Sequence, residues 1–290
     1  MSKRRPARTV RRPVRKAAAP PPRPLPARIT VHRLVVIRAR KRADAAFQRA
    51  ARAAYRKAWL LLKRKLPLLK LAKAVAFDDL PPDEANGVRG LLDPATISEL
   101  QATIEQGLHD GAAAAATHLA AGEASWFTGA GRAFVAPSAD DVLHRYTQMF
   151  AKDVPGGFKD TSQTVADAVT DEVKQWMADP EPGLGALQSS LSRWFAPNRA
   201  DMIAATETTR MQTATSQLIG QQLGATQGEW DTANDDYVCS VCVGFEAGNP
   251  YTIDGTEPQP PDASHPNCRC GWSIIPPGME DDAEPDDAQQ

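Results

Sequence analysis

Between Asp44 and Leu69 the apolar residues Phe47, Ala51, Tyr55, Trp59, Leu62, Leu66 and Leu69 recur every three or four positions. That spacing predicts an amphipathic helix whose outer face is crowded with Arg and Lys, kinked or stopped near Pro67, which lacks the amide a helix interior needs. Asp93-Pro94 reads as an N-cap followed by proline at the first helical position, opening a long helix through the Ala-rich run to Gly122. Residues 126–160 read as connection around one short helix near Val142–Phe150, because Gly129, Gly131, Pro137, Pro155 and Gly156-Gly157 punctuate them. Asp160 or Thr161 is placed to cap a helix with Val165, Val169, Val173 and Trp176 on one face, and a shorter one carries Leu184, Leu187, Leu191 and Phe195. A helix opened by Asn198 or Asp201 runs to about Leu223, where Gly224 supplies the stop.

From Glu229 to Pro277 the helical period fades. Pro and Gly are frequent, and Trp230, Tyr237, Phe245, Tyr251 and Trp272 are scattered, so this stretch has little apolar surface with which to build its own core. The expected fold class is mainly α: a helical body, a small α+β module at the C-terminal end, held together by something other than its own core, and a disordered basic arm at the N-terminal end. The corresponding segments are 1–28 (basic, Pro-rich arm), 29–80 (basic amphipathic helix), 90–184 (helical body), 185–277 (C-terminal domain with that module) and 278–290 (acidic disordered tail).

Charge sharpens this division. The formal net charge of −1 conceals that residues 1–73 hold 24 of the 34 Lys and Arg against the single acid Asp44, a formal +23, so the remainder carries −24. Residues 1–28 combine ten Lys or Arg with seven Pro and too little apolar surface to offset the entropy of ordering. Extended, such an arm reaches on the order of 90 Å. A segment this basic binds polyphosphate by counterion release, with little sequence preference. Arg4, Arg5, Arg11, Arg12, Arg15, Lys16, Arg38, Arg40, Lys41 and Arg42 are the candidate nucleic-acid contacts, interspersed with Ala, Pro and Leu rather than with stacking aromatics. The alternatives are that the arm lies on an acidic protein surface, its own or a partner's, or that the helix around Trp59 lies on a membrane surface. No run approaches the roughly 18 apolar residues of a spanning helix, and the basic N-terminus lacks the apolar core of a signal peptide.

All four cysteines, Cys239, Cys242, Cys268 and Cys270, fall in one short window with His265 beside the second pair. Cys-x2-Cys lets two thiolates converge on a tetrahedral ion, and a second cluster about 25 residues on completes a structural zinc site. Such an ion supplies folding energy to a segment poor in core. Five donors compete for four positions, so one of His265, Cys268 and Cys270 stands outside the first shell. Two disulfides suit a secreted module, unligated thiols are a further alternative, and a redox pair needs Cys-x2-Cys at the start of a helix after a strand, which Asp235-Asp236 and Gly244 do not suggest. The sequence has no His-x-Glu with Pro-Cys-x2-Cys, no His-Glu-x2-His, no Gly-x-Ser-x-Gly and no phosphate loop, so the expected role is structural and not enzymatic.

Ile203-Ala204-Ala205-Thr206-Glu207-Thr208, Glu229-Trp230-Asp231, Asp235 to Cys242 and His265-Pro266-Asn267-Cys268-Arg269-Cys270 together resemble the Mu F-like phage head morphogenesis family over roughly residues 185–276. Ala205 stands where that family usually has arginine, so the role of that arginine is either lost or supplied elsewhere, by Arg199 or Arg210. The resemblance implies a minor head protein of a tailed phage. Its setting is the virion head, and the host cytoplasm during assembly. Its partners are portal and major capsid or scaffold proteins, with phage DNA meeting the basic N-terminal region and no integral membrane contact. It also marks Thr206, Glu207 and Arg269 as structural residues. Glu207 shares a face with Ile203, Met211, Ala214 and Leu218, so its carboxylate needs a partner. Two expectations stand side by side: it docks the helix on the metal loop through Arg269 or backbone amides near His265, or it is solvated or pairs with Arg210. The competing functional classes are a zinc-containing nucleic-acid-binding regulator, disfavoured by the acidity of residues 229–276, and an enzyme delivered with the virion, in which Glu207 is the acid.

Overall fold

The computed structural model describes residues 27–74, 94–129, 135–150, 158–178, 183–233 and 238–278. Of the sequence-based expectations, the arm of residues 1–26, with Arg4, Arg5, Arg11, Arg12, Arg15 and Lys16, the cap at Asp93, and the acidic tail after Gly278 lie outside the described residues. The fold is mainly helical with a small C-terminal sheet, and its body is assembled around two long helices, α1 (Ala27–Ala74) and α2 (Pro94–Gly129). α1 passes Pro67 instead of stopping there. One missing amide costs about 3 kcal/mol in a helix interior, and the preceding turns are anchored by Leu62 and Leu66, both buried.

The two helices run antiparallel at very close range. A Cβ added to Gly107 would lie 2.2 Å from Ala54 Cβ, and one on Gly122 would lie 2.2 Å from Ala39 Cβ. Small residues on both helices therefore set the spacing, and the large side chains Phe47 and Tyr55 fill the edges of the seam. α3 (Ala139–Phe150), α4 (Lys159–Ala178), α5 (Leu184–Ser192) and a 3-10 turn (Arg193–Phe195) close the body. Phe158 joins them, with its ring edge-on to Phe47 at 5.8 Å and stacked near Tyr146 at 6.4 Å. Val165, Val169, Val173 and Trp176 all face inward, as their period requires. Helix α2 outruns Gly122 to end at Gly129, and α4 begins ahead of Asp160 and Thr161, with the Ser162 amide bonded to the Phe158 carbonyl.

Helix α6 (Pro197–Leu223) begins at its proline, with Ala196 rather than Asn198 or Asp201 at the cap. Proline at the first helical position is preorganised and forfeits an amide that would be unpaired anyway. Asp201 sits a turn inside and takes a bidentate pair from Arg52 of α1, at 2.5 and 2.7 Å. Gly224 ends the helix in a left-handed conformation, φ 67°.

The segment that lacked helical period is a small sheet packed on α6. Strand β1 (Gln227–Asp231) is central, pairing antiparallel with β2 (Tyr251–Thr252) on one side and β3 (Gly271–Ile275) on the other. Trp230 faces Trp272 across the β1–β3 pair, and both are fully buried. Where β2 runs out, the Asn249 side chain replaces a strand: its amide oxygen accepts from Trp230 N at 2.7 Å and its nitrogen donates to Trp230 O at 2.9 Å. Helix α7 (Ser240–Ala247) follows β1 and carries the first cysteine pair.

Candidate metal centre

The Cys-x2-Cys pair is built at a helix start. Cys239 is the N-cap of α7, and its Sγ accepts the Cys242 amide at 3.4 Å. This corrects the expectation that the pair does not open a helix after a strand: it does. What separates it from a simple redox pair is its surroundings. Cys242 Sγ lies 3.5 Å from Cys239 Sγ and 3.7 Å from Cys268 Sγ. A disulfide requires about 2.05 Å. Four sulfurs at about 2.3 Å from a tetrahedral zinc stand about 3.8 Å apart. One sulfur near-equidistant from two others is the arrangement a shared ion demands.

All five predicted ligands are brought together. Cys239, Cys242 and His265 form one triad and Cys242, Cys268 and Cys270 another, the ligand atoms of each lying within 4.8 Å of one another. The cluster can hold a metal ion. Cys242, Cys268 and Cys270 are buried, Cys239 and His265 partly so. His265 Nδ1 sits 2.8 Å from the Pro266 carbonyl. A carbonyl only accepts, so Nδ1 carries the proton and Nε2 keeps the lone pair that binds metals.

Protonation among the thiols is uneven. A hydrogen bond from the Cys270 thiol, aided by the Ser264 hydroxyl, brings Cys268 down to about 5 against its burial. Burial, and the proton it donates to Cys239, push Cys242 up to about 12. Cys270 is raised by its bond to Cys268 and by burial. At Cys239 burial works upward, but bonds from the Cys242 amide and thiol outweigh it and the net shift is down. His265 is raised, chiefly by its bond to the Pro266 carbonyl. Without an ion the cluster therefore shares protons, and a divalent cation displaces them by stabilising every thiolate at once.

The loop bearing the second pair is docked on α6 by Thr206, which the resemblance marks as structural, and by further side chains that the sequence reading passed over. Thr206 Oγ1 accepts the backbone amide of Asn267 at 2.8 Å, where Asn267 adopts φ 64°. Thr209 Oγ1 donates to the Cys268 carbonyl at 2.6 Å, Thr213 Oγ1 to Pro260 O at 3.0 Å, and Ser216 Oγ to Trp272 O at 2.8 Å. Residues 206, 209, 213 and 216 share one face, a helical period written in hydroxyls. That was the available signal.

Glu207 holds the loop only indirectly. Its carboxylate accepts from Tyr146 Oη at 2.6 Å and from Arg210 at 2.8 Å, and Arg210 in turn grips Asp262 of the loop at 2.7 Å. The pairing with Arg210 is the one found; the expected contact with Arg269 or amides near His265 is not, and Thr206 takes that amide role. Arg269 is exposed and lines the cleft at the cysteines. Ala205 lines the same cleft, while Arg210 is engaged with Glu207 and Asp262, and Arg199 lies over the Trp194 ring at 4.7 Å. Arg38, Lys41 and Arg42 are exposed on α1. Arg40 is not an open phosphate contact: it is half-buried, and its guanidinium is engaged with α6, donating to Thr209 Oγ1 at 2.5 Å.

Burial raises the Glu207 pKa above the ordinary carboxyl value, although Arg210 and Tyr146 oppose it. The folded chain therefore holds that proton more tightly than the unfolded chain. Stability conferred by the protonated acid is present below the unfolded pKa, about 4.3, and is lost as pH rises through the folded value. Gln at this position has no such dependence. The melting temperature of Glu207→Gln relative to the unmodified protein should rise with pH across that window; parallel curves would contradict the reading.

Comparison with protein families, with curated proteins and with solved structures yields no match.

Proposed function

We propose that this chain is a structural minor head protein of a tailed bacteriophage, of the Mu F-like head morphogenesis family, and that the ion at its cysteine centre is zinc. The observation that carries the reading is a juxtaposition. The segments that bear the resemblance, Cys239 to Cys242, His265 to Cys270 and the helix with Thr206 and Glu207, converge on one centre. Thiolate and imidazole donors at near-tetrahedral spacing suit zinc above harder cations. Cys242 is the one donor that belongs to both triads. The ion's chemistry here is structural: bound, it ties α7, the 265–270 loop and β3 into one body.

In this reading the helical body and the metal module form a compact plug that works at the portal end of the head, against portal and major capsid or scaffold proteins. Its work is assembly and DNA packaging or delivery, without a catalysed reaction. The basic N-terminal region faces DNA, through the arm and the exposed Arg38, Lys41 and Arg42 of α1. The chain resides in the virion head, and in the host cytoplasm before assembly; among the described residues no helix is long and apolar enough to cross a membrane.

Quantitative mass spectrometry of purified heads tests the assignment. The chain should be present at low copy in heads assembled with the unmodified protein and missing from heads assembled with Cys242→Ala. Recovery only from unassembled lysate would overturn it. For DNA, replacing Arg38, Lys41 and Arg42 by Gln in the full chain should weaken duplex binding and lower the salt slope by about 0.9 for each phosphate that is no longer neutralised. An unchanged slope would remove DNA from the face of α1.

A further inference from the structure

Arg40 interrupts the otherwise exposed basic face of α1. Its two terminal nitrogens donate to Thr209 Oγ1 at 2.5 Å and to Gln212 Oε1 at 3.3 Å. Each acceptor then reaches the segment that runs from the second cysteine pair into β3. The Thr209 hydroxyl donates to the Cys268 carbonyl at 2.6 Å, and the Gln212 amide to the Trp272 carbonyl at 3.3 Å. A Cβ on Gly271 would meet the Gln212 amide oxygen at 2.7 Å, so a glycine is needed there to let this side chain in. The guanidinium is thus one side chain removed from both ends of the segment Cys268 to Trp272.

A guanidinium enclosed among neutral oxygens is costly unless an anion lies near. Asp44, one turn along α1, turns a carboxylate oxygen to Gln48 at 3.0 Å. Burial works against the Arg40 charge; Cys268, Cys270 and Asp44 favour it, and Arg269, a second cation at the same cleft, opposes it. Four thiolates around a divalent ion carry a net charge of −2, and three with a neutral imidazole carry −1. Either is a buried anion in want of a cation. Asp44 and Asp201, which line the same cleft, add to that need. Asp201 is already matched by Arg52.

We propose that Arg40 is the counter-charge of the metal–thiolate centre, a positioning residue through which the basic helix α1 sets the affinity of the C-terminal module for its ion. The proposal rests on the metal reading above. It assigns to a residue of the basic segment a role in the interior: the helix that presents cations outward turns one of them in, and so couples its own position to metal loading.

The test uses the full-length protein. Zinc affinity is measured by competition with a chromophoric chelator at fixed pH and salt for the unmodified chain, Arg40→Gln and Arg40→Lys, and thermal stability is measured with and without excess chelator. Loss of an outer-sphere partner typically costs 10–100-fold in metal affinity. Arg40→Gln should fall by about that factor, and Arg40→Lys, which keeps the charge, should fall by less. Stripped of metal, Arg40→Gln should lose less stability than it loses with metal bound, because the Cys268 thiolate and Asp44 are then the anions that remain beside the enclosed cation. A purely structural role predicts equal destabilisation with and without metal. Equal zinc affinity for Arg40→Gln and the unmodified chain, or an equal loss in Arg40→Lys and Arg40→Gln, would overturn the counter-charge while leaving the metal reading intact. An unmodified chain that binds no zinc would overturn both.

Discussion

Replacing Cys242 by alanine should take the protein from one bound ion to none and unfold the C-terminal module while the helical body stays folded. Cys242 is buried, 1% exposed, and is shared by both donor triads. The module's interior is small: Trp230 with Cys242, Cys268 and Cys270, edged by Val238, Cys239, Phe245 and Tyr251. Four of those eight side chains are cysteines, so an ion bound there would replace the apolar area that a domain of this size lacks. Structural zinc contributes on the order of 10 kcal/mol to such modules near neutral pH, comparable with a whole domain's usual margin. The body has a separate core, from Phe47 and Tyr55 through Leu108, Val169 and Leu191. Hydrogen exchange should therefore lose protection over residues 227–275 and keep it over α1 and α2. Uniform protection in Cys242→Ala would show that the module folds without its ion.

Phe47→Ala should destabilise the body by about 3–5 kcal/mol, a fall in melting temperature of roughly 6–20 °C for a chain of this size. Phe47 is fully buried, edge-on to Phe158, and a Cβ on Gly111 would come within 2.4 Å of its ring. Its loss opens a cavity where α1, α2 and the start of α4 meet, and helices held this closely cannot collapse to fill it. Arg42→Gln on the opposite face of α1 should stay within about 0.5 kcal/mol. A small effect at Phe47 would mean that α1 is an appendage. A large one makes the basic helix α1 a core element of the body.

The helices were legible because their signal is local. Val165, Val169, Val173 and Trp176 recur at the period of one face, and Gly224 can take the left-handed turn that ends α6. The ligands were legible for a related reason, since Cys-x2-Cys encodes its geometry in its spacing. The strands were not: β2 is two residues long, and β1 reads Gln-Gly-Glu-Trp-Asp, too short and too polar to show a period of two. The docking face of α6 was hidden by its chemistry. Thr206, Thr209, Thr213 and Ser216 look like solvent-facing residues until the carbonyls and amides they meet arrive from some 50 residues away. Arg40 could not be told from Arg38 or Arg42 along the chain, because only tertiary packing decides which of three neighbouring cations turns inward.

Native mass spectrometry of the intact chain, purified without added metal, examines the convergence of Cys239, Cys242, His265, Cys268 and Cys270 most directly. The expected mass is that of the polypeptide plus one zinc, less the protons its thiols give up, and denaturing conditions should return the bare reduced chain. A native protein of bare polypeptide mass, with all four thiols freely alkylated and residues 227–275 still protected from exchange, would contradict it.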